Sequence, residues 1–133
     1  SGSGGIGIEA LSRGARKAYF VENNQKAIAC ITDNIEHTHF TDKSVVLKQD
    51  VFSALRGSIK DTADIIFLDP PYQQEYDKKV LEILRDAPYV NEDTLIVVEA
   101  SRDTLFDYVE ALGFFVEKEK QYKTNKHIFI RKL

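Results

Sequence analysis

The segment Asp69-Pro70-Pro71-Tyr72 groups residue types that suit chemistry on a base, and it directly follows the apolar run IIFL at 65–68. Each proline lacks a backbone N–H and restricts the preceding residue to extended conformations, which makes a rigid corner. The Asp69 carboxylate and the Pro70 carbonyl match the two N–H donors of an exocyclic amino group, while Tyr72 offers a stacking face for the ring. An ordinary turn is the alternative, although such turns more often use Gly, Asn or Ser.

A glycine-rich segment, SGSGGIG at 1–7, precedes a helical pattern and is the second candidate site. Glycines let a backbone approach a ligand, and the N-terminus of the following helix offers free N–H groups. Glu22 ends the next strand 18 residues after Gly4. An acid at about 20 residues from such a loop accepts hydrogen bonds from both ribose hydroxyls of a nucleoside. The alternatives are a linker remnant for the loop and a solvated strand-end residue for Glu22.

Asp50 follows the third apolar segment in the same way and is predicted to accept from the amino group of an adenine, with Val51 beside the ring. Ligands of open α/β sheets bind beyond the carboxyl ends of the strands, where Glu22, Asp50 and Asp69 are all expected. A simple helix N-cap is the alternative interpretation of Asp50.

Short apolar runs alternate with amphipathic ones, which predicts a doubly wound α/β fold with a mostly parallel sheet. The chain departs from that rhythm after Gly113, where two strands follow each other without a helix and predict a terminal antiparallel hairpin. The predicted strands are 17–21, 44–47, 63–68, 94–98, 114–122 and 127–131. The predicted helices are 6–13, 24–37, 51–56, 75–87 and 101–112, the last capped by Ser101 and ended by Gly113.

The loop GSGGIG, the acids Glu22 and Asp50 and the corner DPPY occur in an order that resembles the class I S-adenosylmethionine-dependent amino-methyltransferases. GSGGIGIEALSRGARKAYFVENN together with FLDPPY is similar to the bacterial family that methylates guanine N2 in small-subunit ribosomal RNA. The resemblance implies a Rossmann-like methyltransferase sheet with a C-terminal antiparallel hairpin. It also implies S-adenosylmethionine as cofactor, and ribosomal RNA or the small ribosomal subunit as partner. It implies catalytic roles for Asp69, Pro70, Pro71 and Tyr72, and cofactor binding by Gly2, Ser3, Gly4, Gly7, Glu22, Asn23, Asp50, Val51 and Asp69.

The family fold also has a first strand before the glycine loop, between the strands that end at Glu22 and Asp69. This sequence does not contain it. We therefore expect residues upstream of Ser1 in the natural polypeptide, or else a distorted or paired edge, because unpaired strand edges tend to bind other chains. We also expect residues 1–5 to be the least well held part of the cofactor site, and cofactor binding by 1–133 alone to be weak.

The composition is that of one globular domain over 1–133, with 43% apolar and 29% charged residues and a net charge of −3. This charge gives no overall nucleic-acid signal. No run approaches a membrane span and no signal peptide is visible, so a cytoplasmic location is expected. Cys30 is predicted to be a small buried side chain, and the pair His37 and His39 is too small a ligand set for a metal.

Three other functions remain open from the residues alone. A DNA amino-methyltransferase uses the same corner but needs a target-recognition segment. A nicotinamide dehydrogenase uses the same kind of glycine loop but has no need of the prolines after Asp69. A non-catalytic nucleotide- or RNA-binding domain would keep the sites without turnover.

Overall fold

The computed structural model describes residues 8, 11–14, 17–21, 25–48, 50–68 and 74–133. The chain divides into two compact units, residues 1–59 and 60–133. The first contains β1 (Ala18–Val21), α1 (Gln25–His37), β2 (Ser44–Leu47) and α2 (Val51–Gly57). The second contains β3 (Ile65–Leu68), α3 (Gln74–Arg85), β4 (Leu95–Ser101), β5 (Phe114–Gln121) and β6 (Asn125–Lys132). That 1–133 form a single domain stays a prediction.

In the first unit, β1 and β2 form a parallel pair in which Ala18 lies opposite Ser44 and Val21 opposite Leu47. Ile31 and Ile35 of α1 are one turn apart and point the same way, so both are buried. They form a core with Leu11 and Phe20. The predicted strand 44–47 is confirmed, and the predicted helix 24–37 is confirmed over its described residues, Gln25–His37.

Cys30 was predicted to be buried, and this is wrong: its side chain is exposed on α1. The Asn34 amide, one turn along the helix, lies 3.6 Å from the Cys30 sulfur as a donor. The apolar stripe of α1 is centred on Ile31 and Ile35, and Cys30 falls outside it.

In the second unit, four strands form a sheet in the order β3-β4-β6-β5. β3 and β4 are parallel, with Leu68 opposite Val98. β6 runs antiparallel to β4 and pairs with β5 as a hairpin, which confirms the predicted antiparallel insertion. The pairing of β5 with β6 shifts by one residue between Val116 and Lys118, which is a β-bulge.

Alternate residues of β4 and β6 give the sheet of the second unit one fully buried face. Ile96, Val98, Ile128 and Ile130 are each at most 2% exposed. Their neighbours in register, Val97, Glu99, His127 and Phe129, point to the other face because side chains alternate along a strand. We call this second surface the Glu99 face. It is less completely buried, since Glu99, His127 and Phe129 are all partly exposed.

The predicted helix at 101–112 is wrong. Ser101 is instead the last residue of β4, opposite Asn125 of β6. Residues 102–109 form turns, and only Glu110–Leu112 is helical, as a single 3-10 turn. Pairing with β6 extends β4 through the proposed N-cap, so tertiary contacts override the local helical pattern. The expected stop is confirmed, because Gly113 adopts a φ of 92° that glycine tolerates best.

Candidate functional site

Most of the predicted site residues lie outside the described part of the chain. These are Gly2, Ser3, Gly4, Gly7, Glu22, Asn23, Asp69, Pro70, Pro71 and Tyr72. Asp50 is described in full, and Val51 is the first residue of α2. The described strands nevertheless show where the chain enters two of the predicted sites: Glu22 follows the end of β1, and Asp69 follows the end of β3.

Asp50 is the N-cap of α2. Its Oδ1 accepts from the backbone N–H groups of Phe52 (3.1 Å) and Ser53 (3.2 Å). Its Oδ2 accepts from the Ser53 hydroxyl at 2.6 Å. This hydroxyl, and then the backbone N–H of Ser53, lower the pKa of the Asp50 carboxyl below its usual value of 3.8. Because a carboxylate has about four acceptor positions, the cap leaves room for one more donor, and the adenine contact of Asp50 stays a prediction.

The two predicted cofactor acids of the first unit each follow the carboxyl end of a strand in the sequence. Val21 and Leu47 end β1 and β2 opposite each other. Glu22 directly follows Val21, and Asp50 lies three residues after Leu47. Polar residues that follow parallel strands at one edge are the usual source of ligand contacts in open α/β sheets.

The carboxyl edge of the second unit carries a cluster of polar and aromatic side chains that sequence reasoning missed. Glu99 of β4 lies opposite His127 of β6. The Asn125 amide donates to Glu99 Oε1 at 2.6 Å, and His127 Nε2 lies 3.6 Å from the same oxygen. Leu68, after which Asp69 follows in sequence, pairs with Val98, the residue before Glu99. The cluster therefore lies at the strand end that leads into the predicted corner.

Aromatic rings surround His127 on the Glu99 face. The Phe67 ring meets it edge to face, with centroids 5.6 Å apart. The Tyr122 ring lies 4.8 Å away at an interplanar angle of 61°. One signal for the cluster was present: Glu99 directly follows the predicted strand 94–98, as Glu22 and Asp69 follow theirs. The pairing of Glu99 with His127, 28 residues later, had no local signal.

Within the described residues, no three His, Cys, Asp or Glu side chains converge as a metal site. None of the helices placed there combines the length and the apolar character that crossing a membrane requires.

Curated relatives match most of this chain. One is "Putative rRNA methyltransferase YlbH" of Bacillus subtilis, 35% identical over 123 residues that make up 91% of this chain and 66% of the relative. Another is "Ribosomal RNA small subunit methyltransferase D" of Buchnera aphidicola, 28% identical over 77% of this chain and 53% of the relative. The chain thus spans between about half and two thirds of the length of these relatives.

Solved structures share the fold. A conserved hypothetical protein from Streptococcus pyogenes superposes with a TM-score of 0.89 at 34% identity, over 99% of this chain and 81% of that one. A "putative methylase" from Haemophilus influenzae superposes with a TM-score of 0.81 at 25% identity, over 99% and 82%. The predicted class, a Rossmann-like methyltransferase fold with a C-terminal antiparallel hairpin, is confirmed. The first strand of the family fold, which this sequence was predicted to lack, is not among the six described strands.

The family model described as Conserved hypothetical protein 95 matches residues 1–131, almost the whole chain. The curated relatives of this chain described above carry the names of ribosomal RNA methyltransferases. The chain therefore belongs to the Conserved hypothetical protein 95 family.

Proposed function

We propose that this chain is the methyltransferase domain of an enzyme that transfers a methyl group from S-adenosylmethionine to an exocyclic amino group of a base in RNA. The target we assign is guanine N2 of small-subunit ribosomal RNA. One observation carries the proposal: Asp69-Pro70-Pro71-Tyr72 directly follows Leu68, the end of a parallel strand that has a second parallel strand beside it. The names of the curated relatives support ribosomal RNA as the substrate class.

The exocyclic amine is a poor nucleophile because its lone pair is delocalised into the base. In the proposed reaction, the Asp69 carboxylate and the Pro70 carbonyl accept its two hydrogens, which turns the lone pair toward the methyl donor. Tyr72 stacks on the extruded base. S-adenosylmethionine would supply the electrophilic methyl group: its bond to the sulfonium sulfur would break as the N–C bond formed, leaving a neutral thioether. The amine would then lose one proton to solvent. Catalysis is then mainly positioning and electrostatics, with no covalent bond to the protein.

Cofactor binding is assigned to the glycine-rich segment and to the acids after β1 and β2. Gly2, Ser3, Gly4 and Gly7 would approach the cofactor through their backbone, and Glu22 with Asn23 would bind its ribose hydroxyls. Asp50 would accept from the adenine amino group beside Val51. The donor requirements of the cofactor fit the acceptor capacity that the Asp50 cap leaves unused.

The test is transfer of tritiated methyl groups from S-adenosylmethionine to small-subunit ribosomal RNA, both naked and assembled into particles. The residue change is Asp69→Ala, and the matched control is Asp64→Ala, an exposed aspartate just before the opposite end of β3. Loss of one preorganised polar contact is expected to lower the single-turnover rate by ~10²–10³ for Asp69→Ala only. Mass spectrometry of the digested RNA identifies the methylated nucleoside.

Each competing function has its own outcome in this experiment. Methylation of DNA in preference to RNA would replace the RNA assignment. Binding of cofactor and RNA without any transfer would leave a non-catalytic domain. A near-normal single-turnover rate for Asp69→Ala would remove the catalytic role of the corner.

A further inference from the structure

The hairpin end between β5 and β6 lies at the same edge of the sheet as the end of β3. Ser101 at the carboxyl end of β4 pairs with Asn125 at the start of β6. Leu68 at the end of β3 pairs with Val98 of β4. The turn after Gln121 therefore extends from the edge at which the chain enters the proposed catalytic corner.

The hairpin is a cationic surface because its own acids are already paired. From 117 to 133 there are six basic residues and two acidic ones. Glu117 accepts from Arg131 at 2.9 Å, and Glu119 lies 2.9 Å from the Lys126 ammonium. Lys118, Lys120 and Lys123 are exposed and keep a net positive charge on the hairpin. A solvated charged face is the alternative, and it would not require the specific contacts that Tyr122 and Arg102 make at the hairpin end.

Tyr122 at the hairpin end lies beside a cation and a second ring. The Lys120 ammonium lies 5.5 Å from the Tyr122 ring centroid, and the His127 ring lies 4.8 Å from it. The side chain is still 40% exposed. An exposed aromatic ring in a fixed orientation beside lysines is a typical platform for an unpaired base of single-stranded RNA.

Arg102, which directly follows β4, contacts the hairpin turn. Its guanidinium donates to the Gln121 side-chain oxygen at 3.2 Å and to the Lys123 backbone oxygen at 3.5 Å. The acid Glu99 accepts a hydrogen bond from the Asn125 amide. Asp103 is exposed and follows Arg102 in sequence, and its negative charge would oppose binding of an anionic ligand to Arg102.

We propose that Arg102, Lys120, Tyr122 and Lys123, the hairpin-tip surface, bind the substrate RNA next to the nucleotide that enters the catalytic corner. The three cations contact backbone phosphates and Tyr122 stacks on a neighbouring base. This inference rests on the proposed function for its RNA substrate and names the residues of this chain that would bind it. The local surface also reconciles RNA binding with a net charge of −3.

The experiment measures the affinity of the full chain for a fluorescein-labelled single-stranded RNA oligonucleotide across a salt series, by fluorescence anisotropy. Each phosphate contact contributes about −0.7 to the slope of log affinity against log salt for a single strand. The double variant Lys120→Ala/Lys123→Ala is expected to flatten this slope by about 1.4. The matched control Arg85→Ala/Lys132→Ala makes the same charge change at the opposite end of the hairpin, where Lys132 pairs with Phe114 and the Arg85 side chain lies beside Gly113. It is expected to leave the slope unchanged.

Tyr122 has a separate signature. Tyr122→Ala is expected to weaken binding roughly 5- to 150-fold without changing the salt slope, because stacking releases no counterions. Tyr122→Phe should restore the affinity, since it keeps the ring. Asp103→Asn is expected to tighten binding, because it removes the opposing charge. Circular dichroism checks that each variant keeps its fold.

The outcomes separate this inference from the proposed function. Equal slopes for the tip and control variants would overturn the hairpin-tip surface, even if the chain methylates RNA. A tip-specific loss of slope would support the surface, and absence of methyl transfer by the chain with its natural upstream residues restored would count against the enzyme. A wild-type chain that does not bind the oligonucleotide would overturn the surface directly.

Discussion

Asp50 shows how one side chain serves the fold before it serves any ligand. Its three hydrogen bonds within the first turn of α2 stabilise the helix start. The proposed adenine contact must therefore be added to an existing cap. A substitution that removes the cap would disturb the cofactor site indirectly, so the two roles need different variants.

The cap predicts a pH-dependent difference between two Asp50 variants. Asp50→Ala should lower the melting temperature at neutral pH, while Asp50→Asn should nearly preserve it, because asparagine also caps helices well. Hydrogen bonds lower the pKa of Asp50 in the fold, so its stabilisation is present above pH 3.8 and is lost as pH falls through the lower folded value. Asp50→Asn should lack this acid-dependent loss. Thermal melts across acidic pH measure both effects, and identical acid profiles for wild type and Asp50→Asn would contradict the assignment.

Glu22 carries the second prediction at this scale. Glu22→Ala should weaken S-adenosylmethionine binding by about 1.5–3 kcal/mol, because the ribose hydroxyls lose a charged acceptor. Isothermal titration measures the affinity. Glu36→Ala, which removes an exposed acid from α1, is the matched control and should have no effect. Unchanged affinity for Glu22→Ala would leave Glu22 as a solvated strand-end residue.

Among the elements, those with a clear pattern of apolar residues in the sequence were predictable. Those whose structure depends on pairing with a strand distant in sequence were not. Val45, Val46 and Leu47 form a continuous apolar run, and the bounds of the strand Ser44–Leu47 were predicted without error. Residues 101–112 show a helical pattern, yet β6 recruits Ser101 into the sheet. The pairing of Glu99 with His127 depends on the register between β4 and β6. A local pattern cannot specify that register, although an acid after a strand was a visible sign for Glu99 alone.

The loop before β4 depends on one buried hydroxyl. Thr94 is 0% exposed, and its hydroxyl donates to the Ala63 carbonyl at 2.7 Å. The same oxygen accepts from the Asn91 backbone N–H at 3.1 Å. Thr94→Val should cost about 1–3 kcal/mol, because these two backbone groups lose a buried partner.

Chemical denaturation measures the cost of Thr94→Val as a shift of the unfolding midpoint. Thr32→Val on the exposed side of α1 is the matched control and should change the midpoint little. Equal midpoints for the two variants would show that other groups or water satisfy the loop.

At the scale of the whole molecule, the two compact units differ in how much apolar surface they bury. Among the described residues, the first unit has a core cluster of Leu11, Phe20, Ile31 and Ile35 and a two-stranded sheet, and Ala54 and Leu55 are also buried. The second has a four-stranded sheet and a larger set of fully buried side chains, among them Leu81, Leu84, Ile96, Val98, Phe114 and Ile130. Local opening is easier where fewer apolar contacts must break.

Hydrogen exchange is therefore expected to be faster at the backbone amides of β1 and β2 than at those of β4 and β6. Addition of S-adenosylmethionine should slow exchange in the first unit, because Glu22 and Asp50 belong to it. Mass spectrometry of proteolytic peptides measures both effects. Equal protection of the two strand pairs without ligand would contradict the difference in core size.

The bulge between Val116 and Lys118 determines which deletions in β5 change the face of its lysines. On the hairpin side of the bulge, Lys118 lies opposite Phe129 and Lys120 opposite His127, so both lysines point to the Glu99 face. Glu117 is the extra residue of the bulge, and without it Lys118 would follow Val116 directly while both lysines kept their partners and their face. Deleting Glu119 instead would place Lys120 opposite Ile128 and turn it toward the buried face. Loss of a single residue in this strand should accordingly be tolerated at Glu117 and not at Glu119.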